Sequence, residues 1–409
     1  MINLANLNSE YQTITLDNGL KVFIYSHQEL TNQFAQYMVH VGGNDIKPGL
    51  AHFVEHTKFA KPDGDWFDEF SKTGADCNAY TNYHQTAYYF TCANDFFTNL
   101  KTLAQMMEQS HFTQEVLEKE FKIISQEINM YDQMPEWVIT NRILKNMNVD
   151  AYQDDIAGTI EDISNISVDD LQSTFDKYYH LHNMSLTIAT NHDVDEVITW
   201  LENNIHIKAD GEYVTITPQA CNVSVNSDEI KFDGHNSLLS YAYKFNYNQD
   251  NQARILDFIT LQIVDLITYS RLNNQYSHLL EQGIINDTLY SGPFCNEDLI
   301  FYGFDMISED DITAHLDQLW GLNKNLVETG IKQLQSRQLK ALSNKQRFMQ
   351  LVQEFAAIGL DILDYFRILG QIDQTSILAN FDKLSKSYEK CSVVCQVKTI
   401  LSKNQLLVF

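Results

Sequence analysis

The spacing of apolar and polar positions changes several times along the chain, and each change predicts an element. Thr13 to Tyr25 alternates around Asp17-Asn18-Gly19, which predicts a β-hairpin. Gln33 to Val41 reads as a second strand, ending at Gly42-Gly43. After Pro48-Gly49 the pattern becomes helical, and a short amphipathic segment follows from Asp65 to Lys72. Asn78 to Thr91, rich in tyrosine, threonine and phenylalanine, predicts a strand. Two helices are expected next, Asp95 to Gln109 and Gln114 to Asp132, the second capped by Thr113. A helical region then runs to Tyr178, and Met184 to Thr190 is strand-like.

Residues 207–225 are irregular and polar, with Gly211, Pro218 and Asn222, and predict a linker. Beyond it the same grammar returns. Leu238 to Phe245 reads as a strand, Gln252 to Leu272 as a long helix, and Asp311 to Leu319 and Leu326 to Ile358 as further helices. Strands close the chain. The expected division is 1–206, a linker 207–225, and 226–409, with no repeat visible at the residue level. Strands grouped apart from helices predict an α+β fold in both halves, and 409 residues exceed one ordinary core.

The helix after Pro48-Gly49 contains His52-Phe53-Val54-Glu55-His56, an inverted zinc-peptidase pattern. Positions 52, 55, 56 and 59 share one helical face, so two imidazoles one turn apart can grip one Zn²⁺. The carboxylate between them can then reach a metal-bound water. Chance produces such a pattern with a probability on the order of a few per cent, so a third ligand has to decide.

The helix from Gln114 supplies two further carboxylates. With Glu120 at 0° on a helical wheel, Glu127 falls near −20°. Leu117, Phe121, Ile124, Ile128 and Tyr131 lie on one flank, and Val116, Ile123 and Met130 on the other. Two carboxylates in the middle of an apolar face need a partner, because burying them unpaired costs several kcal/mol. Either a metal or a buried Lys or Arg could serve. The two-histidine motif still short of a ligand favours the metal.

Composition narrows the partners. At 44% hydrophobic and 20% charged the chain is globular. Against 54 acidic residues stand 28 basic ones, a net charge of −26, which argues against nucleic acid and anionic membranes as partners. No run of about 18 apolar residues predicts a membrane span, and the first residues lack the pattern of a signal peptide. Cys77, Cys92, Cys221, Cys295, Cys391 and Cys395 form no Cys-x-x-Cys pair. Reduced thiols and a cytoplasmic location are expected.

These residues together resemble the pitrilysin/insulinase family of zinc peptidases, the inverzincins. Glu120 and Glu127 match its Glu-x6-Glu helix, and Glu127 stands 71 residues after His56. The resemblance implies that His52, His56 and Glu127 hold Zn²⁺, that Glu55 is the general base, and that Glu120 orients a ligand. Gly74-Ala75-Asp76-Cys77-Asn78-Ala79-Tyr80-Thr81 is similar to the family's substrate strand, which implies that Asn78 and Ala79 bind the peptide. Glu127-Ile128-Asn129-Met130-Tyr131-Asp132, Asp155-Ile156-Ala157-Gly158-Thr159, Tyr179-His180 and Asn183-Met184 resemble its YmfH-like bacterial branch. The implied architecture is two homologous α/β-roll domains, of the LuxS/mitochondrial-processing-peptidase-like metallohydrolase type, facing across a chamber. The implied activity is a zinc endopeptidase acting on short or unfolded peptides.

One departure matters. Active relatives often carry an Arg and a Tyr seven residues apart in the second domain. Seven residues before Tyr290 stands Gly283, and Arg271 and Tyr276 do not fit the spacing. The expectation is therefore a zinc-bearing subunit of a homodimer, or of a heterodimer whose homologous partner carries the pair. The alternative is a non-catalytic peptide-binding or scaffold subunit on the same fold.

Overall fold

The structure is a computed structural model. It describes residues 10–397 apart from 148–153, 210, 212, 214–221, 233–235, 249, 296–298, 309, 345–346, 349–350, 353, 356–357 and 359. In the first half the strands are β1 Tyr11–Thr15, β2 Lys21–Ser26, β3 Gln33–Val39, the short pair β4 Ala60–Lys61 and β5 Gly64–Asp65, β6 Asp76–Thr81, β7 Thr86–Cys92 and β8 Met184–Thr190. Its helices are α1 Leu50–Thr57, α2 Trp66–Ser71, α3 Phe96–Glu108, α4 Gln114–Tyr131, α5 Pro135–Met147, α6 Ile160–Ser164, α7 Val168–Tyr178 and α8 Val194–Asn204. The second half has β9 Ser227–Phe232, β10 Leu238–Phe245, β11 Tyr290–Cys295, β12 Ile300–Ile307 and β13 Glu389–Val397. Its helices are α9 Asn251–Thr268, α10 Asn274–Glu281, α11 Thr313–Leu319, α12 Val327–Ser343, α13 Ile362–Gln371 and α14 Gln374–Leu384.

The first sheet runs β1-β2-β8-β3-β7-β6 and the second β11-β12-β10-β13-β9. Read from opposite ends, they share one topology. In each, an early strand pairs parallel with the last one: β2 with β8, and β9 with β13. In each, a central strand is antiparallel to both neighbours: β3 to β8 and β7, and β10 to β13 and β12. An edge strand closes each hairpin: β6 on β7, and β11 on β12. The repeat invisible at the residue level is therefore explicit in the backbone, and the α+β two-sheet expectation holds.

Each sheet buries one face under its own helices and the other against the opposite half. Ala35, Tyr37, Tyr88, Phe90 and Ile188 of the first sheet pack with Phe53 and Val54 of α1, Leu100 of α3 and Ile124 of α4. On its reverse face Tyr11, Phe23, Tyr25, Phe34 and Ala189 meet Ile255, Ile259 and Ile263 of α9. Conversely Ile139, Ile143, Leu144 and Met147 of α5 cover Leu238, Ala242, Cys391, Val393 and Cys395 of the second sheet. Each such apolar side chain contributes on the order of 2 kcal/mol. Lys244 of β10 donates to the Met147 carbonyl at 2.6 Å, satisfying one exposed carbonyl at the end of α5. Helix α5 thus belongs to the first half by sequence and to the second sheet by packing.

Several expectations are corrected. Asn78 to Thr91 is not one strand but the β6–β7 hairpin. The Asn82 side chain accepts from the backbone N–H of His84 and Gln85, which turns the chain inside the apolar run. The long helix expected to Leu272 ends at Thr268 and is followed by α10. The helix expected from Leu326 to Ile358 holds as α12 only to Ser343, and much of the remainder lies outside the described residues. Most of the expected linker, at 210, 212 and 214–221, also lies outside them, as does Cys221. The other five cysteines are free thiols. Among the described residues no helix is long and apolar enough to cross a membrane.

Candidate metal centre

Helix α1 is short and almost wholly buried, with His52 and Glu55 among its buried residues. It starts at Gly49, whose φ of 76° is left-handed and whose missing Cβ would lie 2.6 Å from the Ala157 carbonyl oxygen. Only glycine allows the loop 155–158 to press this closely on the helix start. At the far end Lys58, 2% exposed, donates to the carbonyls of Met106 and Gln109 at the C-terminus of α3. It also sits over the Phe175 ring. Both ends of α1 are therefore pinned, which fixes where its imidazoles point.

Helix α4 presents Glu120 and Glu127 to those imidazoles, its own start capped by Thr113. Nε2 of His56 lies 3.2 Å from Glu127 Oε2, and Nε2 of His52 lies 3.7 Å from the same oxygen. One ligand atom from each of His52, His56 and Glu127 falls within 4.8 Å of the others. Tetrahedral zinc with bonds near 2.0–2.1 Å needs donor atoms about 3.3 Å apart, and the two distances to Glu127 Oε2, 3.2 and 3.7 Å, lie close to that. The other His56 nitrogen, Nδ1, is 3.4 Å from Glu120 Oε2. That leaves Nε2 free to present a lone pair, the arrangement in which a carboxylate fixes a ligand's tautomer. Glu120 in turn lies 3.2 Å from Lys119.

The wheel placed both carboxylates at the centre of a buried face; the structure corrects this. Ile124 and Ile128 are buried, but Ile123 is 42% exposed and Met130 51%. The second flank borders a cleft rather than the core, so the carboxylates stand at the boundary. The cleft has a volume of 580 Å³, and the described residues lining it all lie between 52 and 157.

Electrostatics separates the roles. Burial, with the neighbouring His56 charge, lowers His52 to about 4 despite Glu127. Burial would also lower His56, but its hydrogen bonds to Glu120 and Glu127 prevail and raise it to about 9. Glu127 is held below its ordinary value, chiefly by the His56 hydrogen bond. Burial raises Glu55 to about 7, against the downward pull of Thr81 and His56. A buried carboxyl near neutrality can accept and return a proton. Thr81 Oγ1 donates to Glu55 Oε2 at 2.7 Å and so fixes its orientation. Sequence reasoning passed over Thr81. The signal available was its place in the Gly74–Thr81 run, but the contact needs β6 folded against α1.

Strand β6 is the edge of the first sheet. Thr81 and Ala79 face α1, while Asn78 and Tyr80 alternate to the reverse face. Asn78 and Ala79 therefore stand at the cleft, on a strand whose outer backbone edge is left open within the first sheet. His84 pairs with Asp45, Tyr88 and Phe90 are buried in the core, and His180 is buried away from the cluster. Asp361 caps α13. Arg271 is exposed and Tyr276 packs on the second core; neither lines the cleft.

Two α+β halves, with an edge strand beside a His-His-Glu cluster that is the one candidate metal centre among the described residues, define the chain. Residues 38–160 match the family described as Insulinase (Peptidase family M16), and 165–333 match its domain described as Peptidase M16 inactive domain. The chain belongs to this family. It is 28% identical to the uncharacterized zinc protease YmfH of Bacillus subtilis, over 87% of this chain and 90% of that one. A Schizosaccharomyces pombe protein described as probable mitochondrial-processing peptidase subunit beta is 26% identical over 50% of this chain and 47% of its own length. An M16-like peptidase of Alicyclobacillus acidocaldarius superposes with a TM-score of 0.82 at 23% identity, covering 95% of this chain and 98% of that one.

Proposed function

We propose that the chain is a zinc-dependent endopeptidase that cleaves short or unfolded peptides, acting as the zinc-bearing subunit of a dimer. The observation that carries this reading is the convergence of the His52, His56 and Glu127 donor atoms within 4.8 Å, beside Glu55 and an open sheet edge. His52, His56 and Glu127 would hold Zn²⁺, with Glu120 orienting His56. Zinc supplies Lewis acidity for a water and for the scissile carbonyl. The chain does the rest. The edge of β6 aligns the peptide as an added strand. Glu55, held by Thr81 through Oε2, takes a proton from the attacking water and delivers it to the leaving amine.

One observation favours the second reading, a non-catalytic peptide-binding or scaffold subunit. Among the described residues none of the second half lines the cleft, and no Arg of the second half stands seven residues before a Tyr. Metal content and a single substitution separate the two. The protein purified in zinc is expected to hold one equivalent per chain and to cleave a fluorogenic peptide in a chelator-sensitive way. Glu55→Gln should keep the metal and reduce kcat by at least about a thousandfold. A zinc-free protein, or cleavage surviving in Glu55→Gln, supports the scaffold or a different mechanism.

A further inference from the structure

Most side-chain donors around the cleft are committed. Lys119 faces Glu120, Thr81 donates to Glu55, and the Trp137 indole N–H donates to Asp155 at 2.8 Å. Asn78 and Tyr80 also border the cleft, but their side chains alternate to the face of β6 away from α1, where Tyr80 Oη accepts from Gln36. Tyr131 remains. It ends α4, one turn beyond Glu127 and on the same helical face, and it lines the cleft. Among the described residues its hydroxyl has no hydrogen-bond partner. Burial is the larger influence on this phenol, and Glu127, Asp155 and Glu55 are close enough to act on it electrostatically.

The Tyr131 ring is held in place. It stacks on Trp137 at 4.5 Å between centroids and 28° between planes. One oxygen of Asp155 accepts from the Trp137 indole and from the Asn141 amide, and the other accepts from the Ala157 N–H at 2.9 Å. Ala157 is the residue whose carbonyl presses on Gly49 at the start of α1. A single carboxylate therefore ties the Tyr131–Trp137 ring pair to the helix that carries His52 and His56. The Asp155-Ile156-Ala157-Gly158-Thr159 run thereby gains a physical purpose.

We propose that Tyr131 donates a hydrogen bond to the peptide carbonyl oxygen under attack at this centre, and that Asp155 is a positioning residue that holds it through Trp137. This rests on the zinc-peptidase reading of the same cleft. The phenolic proton stays on Oη throughout; only a hydrogen bond forms, on an oxygen gaining negative charge. A donor fixed in advance stabilises the transition state more than the substrate, so its loss appears in kcat rather than KM.

The test uses the full zinc-loaded chain and Tyr131→Phe, which keeps the stacked ring and removes only the hydroxyl. The expected result is a fall in kcat of about tenfold to a hundredfold, with KM held within about twofold and zinc content unchanged. On a Glu55→Gln background, a phosphinic peptide that mimics the tetrahedral oxygen should bind about tenfold more weakly after Tyr131→Phe, and the parent peptide equally well. Asp155→Asn should produce a smaller loss of the same kind that vanishes in the Tyr131→Phe background. Should Asp155→Asn fold poorly, Trp137→Phe removes the indole donor alone and must show the same dependence. The proposal is overturned if Tyr131→Phe leaves kcat within about twofold, or weakens both ligands alike. It is also overturned if the Asp155 and Tyr131 effects simply add. Where neither the parent chain nor its mixture with a homologous partner chain cleaves a peptide, the peptidase reading fails by itself, and the phosphinic comparison still decides whether Tyr131 meets a tetrahedral oxygen in this cleft.

Discussion

His56 decides how the centre takes up metal. Its hydrogen bonds to Glu120 and Glu127 raise it to about 9, while His52 stays neutral down to about 4. A ligand imidazole must offer a lone pair, so below pH 9 the metal-free centre carries one proton that the loaded centre does not. Acid therefore favours the empty site. Apparent zinc affinity should rise about tenfold per pH unit between pH 6 and 8, measured by competition with a chelating dye. Glu120→Gln removes an acceptor that raises His56, so the break in the profile should move to lower pH. A flat profile in the parent protein would show that His56 carries no such proton. The grouping of His52, Glu55 and His56 was open to sequence reasoning because all three share one helical face. Thr81 was not, since its contact with Glu55 spans 26 positions and two elements.

Elements hold these residues at their working distances, and α1 depends most on its first contact. Gly49→Ala combines a left-handed φ with a Cβ 2.6 Å from the Ala157 oxygen. Gly74→Ala has a similar φ of 71° but nothing within 4 Å, which makes it the control. Gly74→Ala should cost about 1–2 kcal/mol, and Gly49→Ala roughly twice that, read in urea melts. Only Gly49→Ala should also weaken zinc binding, because it displaces α1 against the loop 155–158. Equal losses from both would remove the loop contact from the account. The first hairpin, α1 and α4 were legible because each has one clear period and a turn or cap at its end. The break between β6 and β7 was hidden, since Asn82 acts through a side-chain turn inside an apolar run. Strand β11 was hidden for another reason: Gly292 and Pro293 argue against a central strand and are tolerated because β11 is an edge. The exposed flank of α4 could not be read from a wheel, which shows an apolar stripe but not whether a core or a cleft lies beside it.

In the whole molecule, the two halves share a topology but divide the chemistry. Among the described residues all those lining the cleft come from 52–157, while the second sheet receives α5 across one face. The second half therefore braces the helix that carries Trp137 and Asn141, and none of its described side chains lines the cleft. A peptidase centre gains most from a preorganised cation or donor at the developing oxyanion. Among the described residues lining the cleft, the one Lys, Lys119, is paired with Glu120, and there is no Arg. A homologous partner bearing an Arg/Tyr pair would complete the site from outside. Mixing the two purified chains should therefore raise peptide cleavage by at least about tenfold over this chain alone. A mixture made with Glu55→Gln should be inactive if Glu55 of this chain is the general base, as proposed. Size-exclusion with light scattering should show the complex at the concentrations where activity appears. Equal cleavage by the single chain and the mixture would mean that the centre is self-sufficient and that its second half braces α5 without recruiting a catalytic partner.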